Sequence, residues 1–359
     1  MTTPILVVGT DAASMTPARF ARPLAKAGAS VSVLVPDDAP ARHTRHVVRV
    51  GLVPAGAPAA LWTEALFALL DVAAPRAIVP ADAGALDFLT GLVLAPPPAL
   101  RPERVGDLAR RLDDALGPAD RWPASLAPDR GATLPGAGDA ALPSAVADAP
   151  DARAASAQAR AHDRAIAVVD RRVEGTRYTH HVAAHRGRVL ASATAEHVVV
   201  DERAGRRPTV VRFCMHEAIA ERAARAIGAL EASGCCALDL VVGADGEPRI
   251  VAVDRHVVPA THMSQWLGVD LAAAWLAALD GREGAGATAL PTGTSRYSVA
   301  FPQEWQRDSA SPWLRGERVD VPWDDAPLLD AILGDAVAAA WGAGDPARGE
   351  PAAAGGDRP

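Results

Sequence analysis

Residues 234–262 constrain the fold most strongly, because an Asp-Gly pair at 245–246 stands between two apolar stretches. Such a pair favours the centre of a tight turn, which predicts a β-hairpin with Asp239 directly opposite Ala252. Side chains alternate along a strand, so Asp254 lies on the same face and is the diagonal neighbour of Asp239, about 7 Å away. The hairpin is therefore predicted to offer two carboxylates to one cation, with an alanine where a third ligand is expected.

The size and charge of the chain exclude some classes of protein. Its 359 residues predict two or three domains, and its 49% of hydrophobic residues suffice for a sizeable core. The net charge of -7 comes with no basic stretch long enough to follow a phosphate backbone, so we expect no nucleic-acid partner. Lys26 is the one lysine among 36 basic residues, so no second lysine is available to bind phosphate.

The cysteine pattern indicates a reducing compartment. The sequence has three cysteines, Cys214, Cys235 and Cys236, of which the last two are adjacent. It shows no secretory signal pattern. We expect free, buried thiols and a cytoplasmic location. We also expect no membrane span, because no apolar run reaches about 18 residues.

The first hundred residues alternate between strands and helices. Strands are predicted at 4–8, 30–36 and 77–80, and helices at 16–28 and 62–71. Thr16 is the predicted N-cap of the first helix, followed by a first-turn proline. Strands joined by helices in this order predict an α/β fold with a doubly wound parallel sheet.

The second half of the chain predicts an antiparallel meander with helices. Strands are predicted at 166–169, 177–184 and 189–193, and helices at 217–231 and 269–279. Between the halves, residues 130–161 are mostly Ala, Pro, Gly, Asp and Ser, which is typical of a mobile loop or a poorly ordered lobe.

Three tryptophans between positions 305 and 323 mark a segment near the C-terminus. Their density predicts an irregular arm held over the antiparallel sheet by aromatic burial. The alternative is a flap that covers a substrate and clamps its carboxylate through Arg307, Arg315 and Arg318.

Three parts of the sequence resemble the ATP-grasp superfamily, specifically its carboxylate-amine ligase and carbamoyl-phosphate-synthase-like branch. Residues 5–36 with 42–50 and 77–89 resemble the pre-ATP-grasp domain of that family. Residues 165–192 resemble the strand, hinge and glycine turn that border the adenine. The stretch GCCALDLVVGADGEPRIVAVDRHVVPATHM at 234–263 resembles the metal-binding hairpin and the segment after it.

The resemblance implies an ATP- and Mg²⁺-dependent enzyme that activates a carboxylate as an acyl phosphate, which an amine or a similar nucleophile attacks. Asp239 matches the first metal carboxylate, and Asp254 stands where an asparagine is usual but still supplies oxygen. Ala252 occupies the position of the glutamate that bridges the metals, so one Mg²⁺ ion is implied at most.

The resemblance also implies the remaining site and the partners. Asp170, Val169 and Arg171 fall at the hinge that borders the adenine, and His256 and His262 fall near the substrate-facing groups. The implied partners are a small molecule carrying a carboxylate and a second copy of the chain in a homodimer.

The implied domains are a Rossmann-like pre-ATP-grasp domain at 1–115, a reduced small lobe or flexible segment at 116–165 and a large lobe at 166–285. A C-terminal arm at 286–341, packed on the large lobe, and a disordered tail at 342–359 follow. The small lobe lacks both lysines that the family uses there. The alternative is therefore a catalytically degenerate scaffold with a binding or regulatory role.

Other motifs give weaker predictions. The turn GTDAAS at 9–14 lacks the spaced glycines of a dinucleotide site. Four histidines on the meander suggest a metal site: His180, His181, His185 and His197. Alternation turns His180 and His181 to opposite faces, which favours solvated or hydrogen-bonded roles for these four.

Overall fold

The computed structural model describes residues 2–98, 100–118, 174–204, 207–282, 296–316 and 318–342, with the backbone alone for 335–342. The first part is a four-stranded parallel sheet in the order β3-β2-β1-β4. Its strands are β1 (Thr3–Val8), β2 (Ala29–Pro36), β3 (Arg49–Val53) and β4 (Ala77–Pro80). The predicted parallel α/β unit is confirmed.

Helices cover both faces of the parallel sheet. They are α1 (Thr16–Lys26), α2 (Ala59–Ala73), α3 (Ala83–Leu94) and α4 (Pro102–Leu116). The predicted N-cap of α1 is wrong by one residue, because Met15 holds that position without a side-chain bond and Thr16 is already helical. A proline in the first turn fixes φ near the helical value, which compensates for the missing cap.

The second part is a six-stranded antiparallel sheet in the order β10-β7-β6-β5-β8-β9. Its strands are β5 (Thr176–His185), β6 (Arg188–Asp201), β7 (Arg207–Cys214), β8 (Gly234–Val242), β9 (Pro248–Asp254) and β10 (Arg296–Val299). The predicted strands at 177–184 and 189–193 lie within β5 and β6, whereas the one at 166–169 falls outside the described residues.

One helix packs on each face of this sheet. On one face lies α5 (Glu217–Ala229), whose Ile219 and Ala223 pack in one buried cluster with Leu238 and Leu240 of β8. On the other side, α6 (Leu271–Leu279) buries Trp275, and a 3₁₀ segment, Thr261–Leu267, precedes it. The cluster around α6 also contains the buried side chains of α1, so both sheets share one hydrophobic core.

The hairpin reaches its predicted register by an unpredicted route. Val242 pairs with Pro248, which leaves a five-residue loop in place of the two-residue turn. The register then shifts by one residue between Asp239 and Leu240, so that Asp239 still faces Ala252. This β-bulge compensates for the longer loop, and Asp254 pairs with Ala237 on the predicted face.

The C-terminal segment continues through α7 (Gln303–Arg307), a 3₁₀ turn at Pro312–Arg315 and α8 (Ala326–Gly342). Leu328 and Ile332 bury it in the core, Trp313 packs on Tyr297, and buried polar groups add specific contacts. Trp323 is 78% exposed, so the predicted aromatic burial is wrong at that position. Glu304, Asp320 and Asp325 are buried, and each accepts hydrogen bonds from a different part of the fold. Ion pairs need specific partners, which a composition pattern does not reveal.

Two further observations bear on the sequence predictions. Cys214, Cys235 and Cys236 are free thiols, and the last two are buried, as predicted. No helix in the described ranges is long and apolar enough to cross a membrane.

The start of β8 depends on a glycine at the junction with α4. Gly234 has φ +88°, and a Cβ there would lie 2.0 Å from the carbonyl oxygen of Ala115. Gly268 has a similar φ of +80°, but a Cβ there would meet nothing within 4 Å. We expect Gly234→Ala to lower the free energy of unfolding by about 2 to 4 kcal/mol and Gly268→Ala by about 1 kcal/mol. Urea unfolding of both variants measures this, and equal losses would contradict the steric argument.

Candidate functional site

The candidate site lies where the hairpin meets the carboxyl ends of the parallel strands. The backbone N–H of Val257, just after β9, donates to the carbonyl oxygen of Pro80 at the end of β4 at 3.0 Å. Loops at the carboxyl ends of parallel strands are a common place for ligands. The predicted residues Asp239, Asp254 and His256 are thereby brought to this junction.

Asp82 forms the wall of the site on the side of the parallel sheet. Its carboxylate caps α3 by accepting from the N–H of Ala85 at 2.7 Å. It also accepts from the N–H of Thr10 at 2.7 Å, from the hydroxyl of Thr10 at 2.8 Å and from the N–H of Asp11 at 3.2 Å. Both oxygens are therefore engaged in holding the β1–α1 loop to the start of α3.

Asp239 belongs to a chain of hydrogen bonds across three strands. Thr179 pairs with Asp239 in the register of β5 and β8. Its hydroxyl donates to Asp239 Oδ1 at 2.6 Å and lies 2.8 Å from Nε2 of His197 on β6. One carboxylate oxygen of Asp239 is thus held in place by the neighbouring strand.

Asp254 is half-buried beside Asp239, and its carboxyl group titrates abnormally. Burial, together with the negative charge of Asp239, raises the pKa of Asp254 to about 7. Two like charges in a poorly solvated place are unfavourable unless a proton or a cation lies between them. The pair therefore has the electrostatics of a cation site.

The two histidines of the site are held neutral by burial. Burial lowers the pKa of His197, against the opposing charge of Asp239. It also lowers the pKa of His256, against the charges of Asp82 and Asp239. In both rings Nδ1 is buried and finds no hydrogen-bond partner among the described residues.

His262 lies deeper in the fold than His256. Its Nε2 is 2.8 Å from Oδ2 of Asp320 in the C-terminal arm, and the same oxygen lies 3.2 Å from the guanidinium of Arg19 on α1. The imidazole ring is buried, and its contact with Asp320 joins the arm to the core.

The cations near the site differ from those that the family resemblance implies. Lys26 forms an ion pair with Asp324 at 2.9 Å, at the junction of α1 and the arm. Arg177, two residues before Thr179 on β5, acts electrostatically on His197, and its side chain forms no hydrogen bond or ion pair within the described part of the chain. Two of the three arginines of the predicted flap are engaged elsewhere, Arg307 with Glu304 and Arg318 with the carbonyl of Trp266.

The hinge residues predicted to border the adenine, Asp170, Val169 and Arg171, lie outside the described residues. The structure therefore does not test this prediction. The same holds for the reduced small lobe, apart from residues 116–118.

The residues present fit a single divalent cation that is held jointly with a ligand. Within the described ranges, no group of three or more His, Cys, Asp or Glu side chains can hold a metal ion by itself. Mg²⁺ commonly takes one or two carboxylates and completes its shell with water and substrate phosphates. Asp239 and Asp254 supply those two carboxylates.

Sequence reasoning missed Thr179 and assigned His197 only a hydrogen-bonded role. Strand pairing between β5 and β8 was the missing information, because it alone places Thr179 opposite Asp239. The predicted opposite orientations of His180 and His181 are confirmed, since His180 contacts Thr194 and His181 contacts Thr261 on the α6 side.

No family model and no curated protein matches the sequence. Among solved structures, the chain is similar to a Rhizobium etli pyruvate carboxylase with 14% identity and a TM-score of 0.51, covering 82% of this chain and 26% of that one. It is also similar to the biotin carboxylase domain dimer of Hydrogenobacter thermophilus 2-oxoglutarate carboxylase in complex with MgADP, ADP and bicarbonate, with 10% identity and a TM-score of 0.51, covering 83% and 74%. A Campylobacter jejuni biotin carboxylase complex with an ATP ligand gives 10% identity and a TM-score of 0.51, covering 82% and 75%. At these identities the likeness shows the fold.

The abnormal titration of Asp254 predicts a pH-dependent stability. Because folding raises the pKa of this carboxyl from 3.8 to about 7, its favourable contribution is complete below about pH 4 and is lost as the pH rises through about 7. Asp254→Asn keeps the neutral form, so we expect it to gain about 4 kcal/mol over the parent between pH 4 and pH 8. Urea unfolding at several pH values in EDTA measures this gain.

Asp245 in the hairpin loop provides the control. Arg249 lowers the pKa of its exposed carboxyl to about 2, so Asp245→Asn should show no gain as the pH rises. A flat difference between Asp254→Asn and the parent across the pH range would contradict the assignment.

Proposed function

Because the chain has the fold of the ATP-grasp enzymes, we propose that it is an ATP- and Mg²⁺-dependent ligase. It activates a carboxylate as an acyl phosphate, which an amine or a similar nucleophile then attacks. The observation that carries the proposal is the pair Asp239 and Asp254 on one face of the hairpin. The raised pKa of Asp254 supports it, because two carboxylates in a poorly solvated place favour a cation between them.

In this proposal the parallel sheet is the pre-ATP-grasp domain, at 1–115, and the antiparallel sheet is the core of the large lobe, at 166–285. The segment 116–165 is a reduced small lobe, 286–341 is the C-terminal arm and 342–359 is a tail. The shared core of the two sheets supports a fixed placement of the first domain against the large lobe.

Asp239 and Asp254 would hold one Mg²⁺ ion, which supplies charge neutralisation at the phosphates when it is bound. The structure of the 2-oxoglutarate carboxylase domain was determined with MgADP, which supports the same ligand here. The hinge at Asp170, Val169 and Arg171 would border the adenine, and His256 with its partly accessible ring would face the substrate.

Side chains of the described residues set the orientation of Asp239 and the charge around it. Thr179 orients Asp239, and burial keeps His197 and His256 neutral, so they add no positive charge of their own. Arg177 is the nearby cation without an internal partner in the described ranges, and its planar head suits a phosphate or carboxylate. We place a small molecule bearing a carboxylate beside it.

A homodimer is the assembly that we propose. The related 2-oxoglutarate carboxylase domain is described as a dimer. In this chain, the edge strand β3 and the residue before it expose Val48, Val50 and Leu52 to solvent. Light scattering of the purified protein measures its mass in solution, and a monomer at all concentrations would overturn this part.

A second function is favoured by a specific observation. Ala252 supplies no ligand and Lys26 is committed to Asp324, which suits a scaffold that binds a ligand without turning it over. The two functions differ in their response to ATP and to Mg²⁺.

Calorimetric titration with ATP, with and without Mg²⁺, separates these functions. The ligase should bind ATP in a Mg²⁺-dependent manner, and Asp239→Asn should weaken the binding at least about tenfold, because a carboxylate ligand is lost. Asp245→Asn, which removes a carboxylate from the same hairpin outside the site, should bind as the parent does. A folded protein that gives no heat with ATP would rule out the ligase and favour the scaffold.

Arg177 gives a test of how the anion is bound. We expect Arg177→Ala to weaken ATP binding about tenfold and to leave adenosine binding unchanged, because a charge-assisted hydrogen bond to phosphate is removed. Arg188→Ala, at the exposed start of β6, is the matched control. Equal losses for ATP and adenosine would show that Arg177 acts on the fold and not on the phosphates.

A further inference from the structure

We infer that Thr179 is a positioning residue that sets the orientation of the Asp239 carboxylate for a cation, with His197 as the outer member of the same hydrogen-bonded chain. The inference rests on the proposed function in one respect, namely that a divalent cation binds at Asp239. It adds two residues that lie on other strands than the hairpin.

The number of protons in the chain fixes its direction. The hydroxyl of Thr179 has one proton, and the Asp239 carboxylate, 2.6 Å away, can only accept. That proton therefore points to Asp239 Oδ1, which leaves only the lone pairs of the hydroxyl for His197. Nε2 of His197, at 2.8 Å, must then be the donor.

This direction also determines the tautomer of His197. A neutral imidazole carries one proton, and here it is on Nε2. Nδ1 is then a bare acceptor, which agrees with its burial and its lack of a partner in the described part of the chain. Protonation of Nδ1 would place a charge in a poorly solvated position near Arg177.

The chain prevents rotation of the carboxylate about its terminal bond. With Oδ1 engaged by Thr179, Oδ2 is the oxygen left for a cation. Hydrogen bonds to ligating carboxylates typically change metal affinity 10- to 100-fold when they are removed. The position of Thr179 opposite Asp239 in the β5–β8 register keeps this bond within one sheet, where neither partner can move independently.

The test uses the full chain and Mn²⁺ alone as the probe, with bound Mn²⁺ measured by the loss of the free-ion EPR signal. We expect Thr179→Val to weaken Mn²⁺ binding about 10- to 100-fold, and Thr179→Ser to remain within about threefold of the parent, because it restores the hydroxyl. His197→Leu removes only the outer donor, so a smaller loss of about two- to fivefold is expected, and it serves as the second variant if Thr179→Val does not fold.

Thr194→Val is the matched control. Thr194 is a buried threonine of β6 that contacts a histidine, His180 Nδ1 at 2.9 Å, on the opposite face of the sheet. Its loss should lower thermal stability but leave Mn²⁺ binding within about threefold. A general loosening of the sheet would instead weaken binding in both valine variants.

A second readout does not depend on metal. Nitrogen NMR of labelled histidine at alkaline pH, with His197 assigned from the spectrum of His197→Leu, should show the Nε2-protonated tautomer in the parent and in Thr179→Ser. Thr179→Val should give a mixture of tautomers. The Nδ1-protonated tautomer in the parent would overturn the chain.

The outcomes separate this inference from the proposed function. If the parent binds Mn²⁺ and Thr179→Val binds equally well, the positioning role is overturned and the cation site stands. If the parent binds no Mn²⁺, the cation site is overturned along with any role toward it, and the NMR result alone then decides whether the hydrogen-bonded chain exists.

Discussion

The packing of α1 against α6 is the contact on which the rest of the molecule depends. Each helix belongs to a different sheet, and their buried faces merge into a single cluster that includes Phe20 and the fully buried Trp275. The indole N–H of Trp275 also donates to the carbonyl of Asp114 in α4 at 3.1 Å. Burial of large aromatic surface is strongly favourable and tolerates little sliding, because the interior is close-packed. The carboxyl ends of the parallel strands are therefore held at a fixed place beside the hairpin, and the acidic pair acquires its surroundings.

Local patterns predicted much of this structure. The strands of the parallel sheet and the shared face of Asp239 and Asp254 follow from periodicity, whereas the pairing of Asp239 with Ala252 arises from a longer loop and a bulge and not from the predicted turn. The bulge that restores the register was not predictable. It is needed because the loop pairs Val242 with Pro248, a register one residue away from the one that pairs Asp239 with Ala252. Thr179 and His197 became visible only through the pairing of β5 with β6 and β8. Two of the carboxylates that anchor the arm have partners about 280 to 300 residues away, Arg45 for Asp325 and Arg19 for Asp320.

The site combines several features that lower the stability of the folded protein. Two acidic side chains share a poorly solvated face, and two imidazoles bury a nitrogen without a partner among the described residues. Unpaired groups of this kind each oppose folding, and proteins retain them mainly where a ligand later satisfies them. The surrounding sheet tolerates this strain because its other face is a conventional apolar layer under α5.

The bond between the start and the end of the chain has a consequence for biosynthesis. Arg19 on α1 donates to the carbonyl oxygen of Asp320, a contact that spans 301 positions, and it also forms an ion pair with the Asp320 carboxylate. A ribosome releases the chain from its N-terminus, so the parallel sheet emerges long before this partner exists. Until then, a guanidinium that ends up buried lacks the partner that balances its charge. The first sheet to be made is thus among the last parts to be completed, and a protein truncated before Asp320 would leave Arg19 without this hydrogen bond and ion pair.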